Sequence, residues 1–184
     1  MAEAQADTVT DSAGQSEAAP DRNGLLLDLD AIDLNRRLLD REALKAWIPH
    51  RGVMHLLDSV VWVNDEMTNG IGHRTIREDE FWVEGHFPTK ATFPGVLMVE
   101  TGAQLALYLF NIRAGSLQMP AFLRIEECVF RQPVKPGDEF FVLCRGVKKG
   151  RRRFVSDIQG VVDSTIVFQA RITGMTLGDT PETP

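Results

Sequence analysis

At 184 residues the chain is long enough for one domain with a sizeable core and short for two. With 43% apolar and 25% charged residues it is an ordinary globular composition, which excludes collagen-like, wholly disordered and cysteine-stapled chains. The net charge of −6 sits at the ends: residues 1–24 hold five acids and one base, and residues 178–184 hold two acids, which leaves 25–177 balanced. An acidic whole argues against a general nucleic-acid binder, and Cys128 and Cys144 supply neither a disulfide framework nor paired zinc ligands. The expected setting is reducing and cytoplasmic.

Residues 1–24 are rich in Ala, Asp, Gln, Ser and Thr and carry too little apolar surface to offset ordering, so a disordered acidic tail is expected there. The segment also lacks the basic start and apolar run of a secretory signal. Helical spacing runs from Leu38 to Trp47 and ends at Pro49. Alternating β-branched runs follow at Leu56–Val63 and Gly70–Ile76, joined by the turn-prone NDEMTNG. Residues 79–94 are irregular, punctuated by Gly85, Pro88 and Pro94.

Gly95 to about Ala114 is the one long helix expected, spanning about 30 Å. Glu100, Gln104 and Asn111 interrupt its apolar run, so it reads as a buried core helix and no membrane span is expected. Four strands should follow, at Phe122–Phe130, Glu139–Val147, Phe154–Val162 and Thr165–Thr176. In the last, Ile166, Phe168, Ala170 and Ile172 alternate onto one face. Residues 178–184 read as a loose tail. The pattern predicts a single α+β domain over 25–177, an antiparallel sheet wrapped around one long helix.

Within that plan Glu100 stands out, because a carboxylate one turn into an apolar helix costs several kcal/mol to bury unless paired or protonated. Its spacing with Gln104 and Asn111 fits equally a polar stripe facing water. His86, in the irregular GHFP segment, has a side chain suited to taking a proton near neutral pH. His50 and His55, flanking Arg51, have weaker cases, and His73 belongs to the outward side of its strand. No histidine pair has metal-ligand spacing with a carboxylate, so neither metal nor cofactor is expected. Pro94-Gly95 opens the helix, and its free N–H groups suit a carbonyl oxygen gaining negative charge.

This combination resembles a known family. GHFPTKATFPGVLMVETGAQ is similar to the signature of the 3-hydroxyacyl-acyl-carrier-protein dehydratases, which adopt the hot-dog fold. IPHRGVMHLLDSV at 48–60 is similar to that family's opening motif, and VFRQPVKPGDEF at 129–140 to its later strand and turn. The resemblance covers about residues 38–177. It implies His86 and Glu100 as the catalytic pair, with Glu rather than Asp marking the non-isomerising type, and the Gly95 N–H as the group that polarises the thioester carbonyl. It further implies that a homodimer, possible also as a trimer of dimers, shares each site, His86 coming from one chain and Glu100 from the other. Phe87, Phe93, Val96, Met98 and Gln104 are the implied tunnel residues, and Phe110 and Phe122 join Phe93 and Met98 as candidates for closing it.

The chain departs from the family pattern at residues 89–93 (TKATF), at Asp58-Ser59, and at His55, which replaces an apolar residue. These changes bear on chain length and carrier choice. Lys148, Lys149, Arg151, Arg152 and Arg153 cluster at a predicted hairpin turn, a patch able to steer an acidic acyl carrier protein or simply to solvate the tip. The alternatives to the dehydratase are a thioesterase or enoyl hydratase on the same fold, and a non-catalytic protein that binds acyl chains or carriers.

Overall fold

The computed structural model describes residues 24–179. It contains β1 (Leu39–Asp40), α1 (Arg41–Leu44), β2 (Ser59–Val63), β3 (Asn69–Thr75), α2 (Gly95–Ala114), β4 (Gln118–Phe130), β5 (Glu139–Lys149), β6 (Arg153–Val162) and β7 (Thr165–Asp179). The seven strands form one antiparallel sheet in the order β1-β2-β3-β5-β6-β7-β4, with α2 packed against it. This is the expected hot-dog arrangement.

The helix begins after Pro94 and stops at Gly115, whose φ of 73° suits a residue without Cβ and whose N–H donates to the Asn111 carbonyl at 2.9 Å. It satisfies a hydropathy and length test for crossing a membrane, yet two thirds of its most apolar window (67%) is buried inside the fold. Leu105, Leu107, Leu109 and Phe110 pack with Phe140, Ile158, Phe168 and Ile172 of the sheet. A helix apolar nearly all round is a core helix, wrapped rather than merely covered.

Asn111 is fully buried and donates to the Trp47 carbonyl at 2.7 Å, while Gln104 is pinned to Met54 and Leu56. The water-facing stripe is therefore not what forms. The polar residues of α2 stitch the segment 47–56 to the helix instead.

Two expectations change. The helix foreseen over Leu38–Trp47 shrinks to Arg41–Leu44, because Leu39 and Asp40 pair with Val60 and Ser59 and the Asp40 carboxylate caps the Ala43 N–H at 2.8 Å. The one-face alternation of Ile166, Phe168, Ala170 and Ile172 breaks at a register shift opposite Gly160 and Val161. One extra residue there turns Ile166 to the outer face while Phe168, Ala170 and Ile172 stay in the core. His73 takes the outward side of its strand as expected, with Ile71 and the Phe141 ring, and is buried there against Glu139 rather than exposed. β7 runs to Asp179, past the expected domain end at 177, and the expected tails otherwise fall on residues 1–23 and 180–184, which lie outside the described residues.

An element absent from the sequence reading covers the outer face of the sheet. Leu25, Leu26, Leu27, Leu29, Ile32 and Leu34 pack on Val61, Ile71, Leu143 and Val161, forming an apolar cluster separate from the core around α2. Gln159 fastens this strap, accepting from the Leu26 N–H at 2.8 Å and donating to the Gly24 carbonyl at 3.0 Å. Leu25→Ala is expected to destabilise the fold by about 2–4 kcal/mol, measured as a lowered urea midpoint. An unchanged midpoint would mean that the strap adds nothing to stability.

Candidate active site

His86 is set by its own loop. Its backbone N–H donates to the Trp82 carbonyl at 2.8 Å, and its carbonyl accepts from the Thr92 N–H at 2.8 Å. The ring Nδ1 lies 2.7 Å from the Thr92 carbonyl oxygen. A carbonyl only accepts, so Nδ1 carries the proton and Nε2 presents a lone pair. Phe87 stacks on the imidazole with ring centroids 4.1 Å apart. The residues that differ from the family pattern, 89–93, thus include the carbonyl that fixes the tautomer.

His86 shares a hollow with Gly95, Phe93, Val96 and Met98, walled on its far side by Phe130. No side chain caps the N-terminus of α2. The Leu97 and Met98 N–H groups donate to the Pro94 carbonyl at 2.9 and 3.2 Å, which leaves those of Gly95 and Val96, both lining the hollow, without an intrahelical acceptor and with the positive end of the helix dipole behind them. Position 95 admits only glycine without movement, since a Cβ there would meet the Phe130 ring at 2.7 Å.

Glu100 lies elsewhere. Five residues beyond Gly95 at 3.6 residues per turn, it projects about 140° around the helix from it. It lines a second cavity of about 210 Å³ together with His50, Ala103, Leu107 and Phe154. Its side chain is 24% exposed, and its Oε1 receives both a hydrogen bond from Gln104 Nε2 at 3.0 Å and His50 Nε2 at 3.2 Å. That leaves Oε2 for a substrate. Gln104 is fully buried, accepting from the Leu56 N–H at 2.9 Å and donating to the Met54 carbonyl at 2.7 Å, so one side chain fixes both the loop and the carboxylate.

The structure therefore brings His86 and Gly95 together, with Phe93, Val96 and Met98, and places Glu100 in a different cavity of the same chain. Gln104, expected in the tunnel wall, is instead a buried tie behind Glu100. Phe87, also expected there, is 54% exposed beside His86, and Phe122 lines the Glu100 cavity. Phe110 is buried behind that cavity against Phe154. His50 is the contact of Glu100 undervalued from sequence. Its only signal was its place in IPHRG, since nothing in spacing tied it to Glu100.

The basic cluster sits at the β5–β6 hairpin. Lys149 Nζ lies 5.8 Å from the Phe110 ring centroid, near the C-terminal end of α2, and Phe110 is about 22 Å along the helix from Gly95. Arg152 is tied to the Thr176 carbonyl at 3.0 Å. Lys148, Arg151 and Arg153 are exposed.

His55 is 1% exposed with neither ring nitrogen hydrogen-bonded. Burial, reinforced by Arg41, His50 and Arg51, pushes its pKa down to about 4. The unfolded chain takes up a proton near pH 6.5 that the folded protein refuses until about pH 4. Stability is therefore complete above pH 6.5 and falls by up to about 3 kcal/mol as pH drops toward 4. His55→Leu is expected to abolish that part of the acid sensitivity, read as the difference in urea midpoints between pH 7 and pH 4.5. An equal pH dependence in both proteins would contradict this assignment.

A FabA-like domain matches residues 48–171. The 3-hydroxyacyl-[acyl-carrier-protein] dehydratase FabZ of Bartonella henselae is 37% identical over 146 residues, covering 76% of this chain and 90% of that protein. FabZ of Methylobacterium radiotolerans is 36% identical over 143 residues, covering 74% of this chain and 88% of that protein. Among solved structures, the dehydratase heterocomplex ApeI:P from Xenorhabdus doucetiae matches with a TM-score of 0.62 at 14% identity, over 76% of this chain and 91% of that one, a likeness of fold. Motifs, architecture and these relatives agree: the chain belongs to the FabA-like family, with the FabZ dehydratases among its relatives.

Proposed function

We propose that the protein is a 3-hydroxyacyl-acyl-carrier-protein dehydratase, removing water to give the trans-2-enoyl thioester. The observation that carries this is the pairing of a tautomer-fixed histidine with an uncapped, glycine-started helix in one hollow, beside a separately held carboxylate. His86 Nε2 takes the proton from carbon 2. Charge then grows on the thioester oxygen, where the Gly95 N–H stabilises it. Glu100, held by Gln104 and His50, gives its proton to the departing hydroxyl at carbon 3, and water leaves. The proton on His86 returns to Glu100 to complete the cycle. Each proton-transfer partner is worth about 10²–10⁴ in rate.

Because His86 and Glu100 open into different cavities of one chain, the reading needs a second copy to deliver Glu100 to His86. An apolar edge supports a homodimer: Phe122, Leu123, Ile125, Val129 and Phe130 are exposed on β4, which among the described residues pairs with β7 alone and leaves its other side open. Higher assembly as a trimer of dimers, a cytoplasmic setting, and steering of an acidic carrier by Lys148, Lys149 and Arg151–Arg153 belong to the same reading. The basic patch lies at the far end of α2 from Gly95 in its own chain, so any steering there is long-range.

The test is hydration of a trans-2-butenoyl thioester on acyl carrier protein, followed as loss of the enoyl absorbance. The account expects turnover by the intact protein. A folded dimer without turnover would overturn it in favour of a non-catalytic acyl-binding protein.

A further inference from the structure

The cavity beside Glu100 has a floor. Glu100, Ala103 and Leu107 recur at helical spacing along one face of α2, so the cavity follows the helix away from the carboxylate for about 10 Å. Its walls are mostly apolar, with Ile172 and Ala121 facing the helix. At the far end stands the Phe154 ring, buried and 5.3 Å between centroids from Phe110, three residues beyond Leu107 on the helix. Lys149 Nζ lies over the Phe110 ring as well, 5.8 Å from its centroid.

Phe154 is directed there by the sheet. It pairs directly with Gly174 across β6 and β7, and a Cβ on Gly174 would come within 2.3 Å of the Phe154 ring. A bare backbone at 174 is what lets the ring lie flat across β7 instead of being pushed into the cavity. The cavity ends where it does because of these two residues together.

We propose that Phe154, seated on Gly174 and backed by Phe110, is the residue that limits acyl length, making short and medium straight-chain 3-hydroxyacyl thioesters the substrates. This rests on the dehydratase reading, with Glu100 marking the reacting end of the chain. The carbons beyond carbon 3 run along Ala103 and Leu107 and stop at the Phe154 ring. A hexadecenoyl chain, twice the length of an octenoyl chain, meets that ring before its thioester reaches the catalytic groups.

The experiment compares kcat/KM for hydration of trans-2-butenoyl, trans-2-octenoyl and trans-2-hexadecenoyl thioesters, all on acyl carrier protein, by the full chain and three variants. The wild-type protein should prefer octenoyl over hexadecenoyl by at least about tenfold, the scale on which an apolar pocket discriminates length. Phe154→Ala, and Phe154→Leu as the variant that keeps contact with Phe110, should move that ratio toward the long chain by about 10–100-fold. Gly174→Ala should move preference the other way, from octenoyl toward butenoyl, by driving the ring into the cavity. Equal use of octenoyl and hexadecenoyl by the wild type, or an unmoved ratio in both Phe154 variants, overturns the length stop while leaving the dehydratase standing. No hydration of any of the three by the wild type overturns the dehydratase reading and the stop with it.

Discussion

His86→Ala is expected to lower kcat for enoyl hydration by about 10²–10⁴, with little loss of stability. The substitution removes the Nε2 lone pair aimed into the Gly95 hollow, and it also removes one hydrogen bond to the Thr92 carbonyl, worth only about 1 kcal/mol net. Thermal unfolding and steady-state kinetics on the same preparation separate the two effects. A fall in rate matched by a collapse in melting temperature would make His86 a structural residue of its loop. Retained activity in a well-folded variant would remove it from the mechanism.

Gln104→Leu has the second large effect, and it acts on both fold and rate. The leucine nearly preserves volume but leaves the buried Leu56 N–H unpartnered, at about 1–3 kcal/mol, and takes the Gln104 donor from the part-buried Met54 carbonyl, at about 1 kcal/mol. It also takes away the donor at Glu100 Oε1, leaving only His50 to hold the carboxylate. A loss of stability of about 2 kcal/mol or more, read from the urea midpoint, is expected, together with a tenfold or larger fall in kcat at nearly unchanged KM. A purely structural glutamine would lower the midpoint without that kinetic split. His50→Ala should reproduce the kinetic part with a smaller loss of stability, since His50 bonds Glu100 without carrying the loop.

Much of this was legible from the residues. The bounds of α2 follow from Pro94, Gly95 and Gly115, whose backbone preferences are local. The four long strands of the last third were placed because their turns carry Gly, Asp and Lys at fixed offsets. What escaped was set by distant partners. The bulge that sends Ile166 outward depends on β6, and the shortened α1 depends on the pairing of Leu39 and Asp40 with β2. The Leu-rich strap at 25–34 has no period to announce it, because it adopts the shape of the sheet it covers.

The site divides in the same way. His86, Gly95 and Glu100 were each visible as residue types in an unusual setting. The tie from Gln104 to residues 54–56 and the contact from His50 to Glu100 span 48–50 positions and were not. Nor does spacing reveal that Gly95 and Glu100 open on different sides of α2 until the helix is drawn, at which point the 140° between them follows from its pitch alone.

That separation makes the central claim testable by mixing two dead proteins. His86→Ala and Glu100→Gln are each expected to be inactive alone. Allowed to exchange subunits, they form mixed dimers in which one of the two sites has both wild-type groups, so about a quarter of wild-type activity should return. Mixed dimers, verified by mass, that stay as inactive as the parents would contradict a site shared between chains and would place the catalytic groups within one.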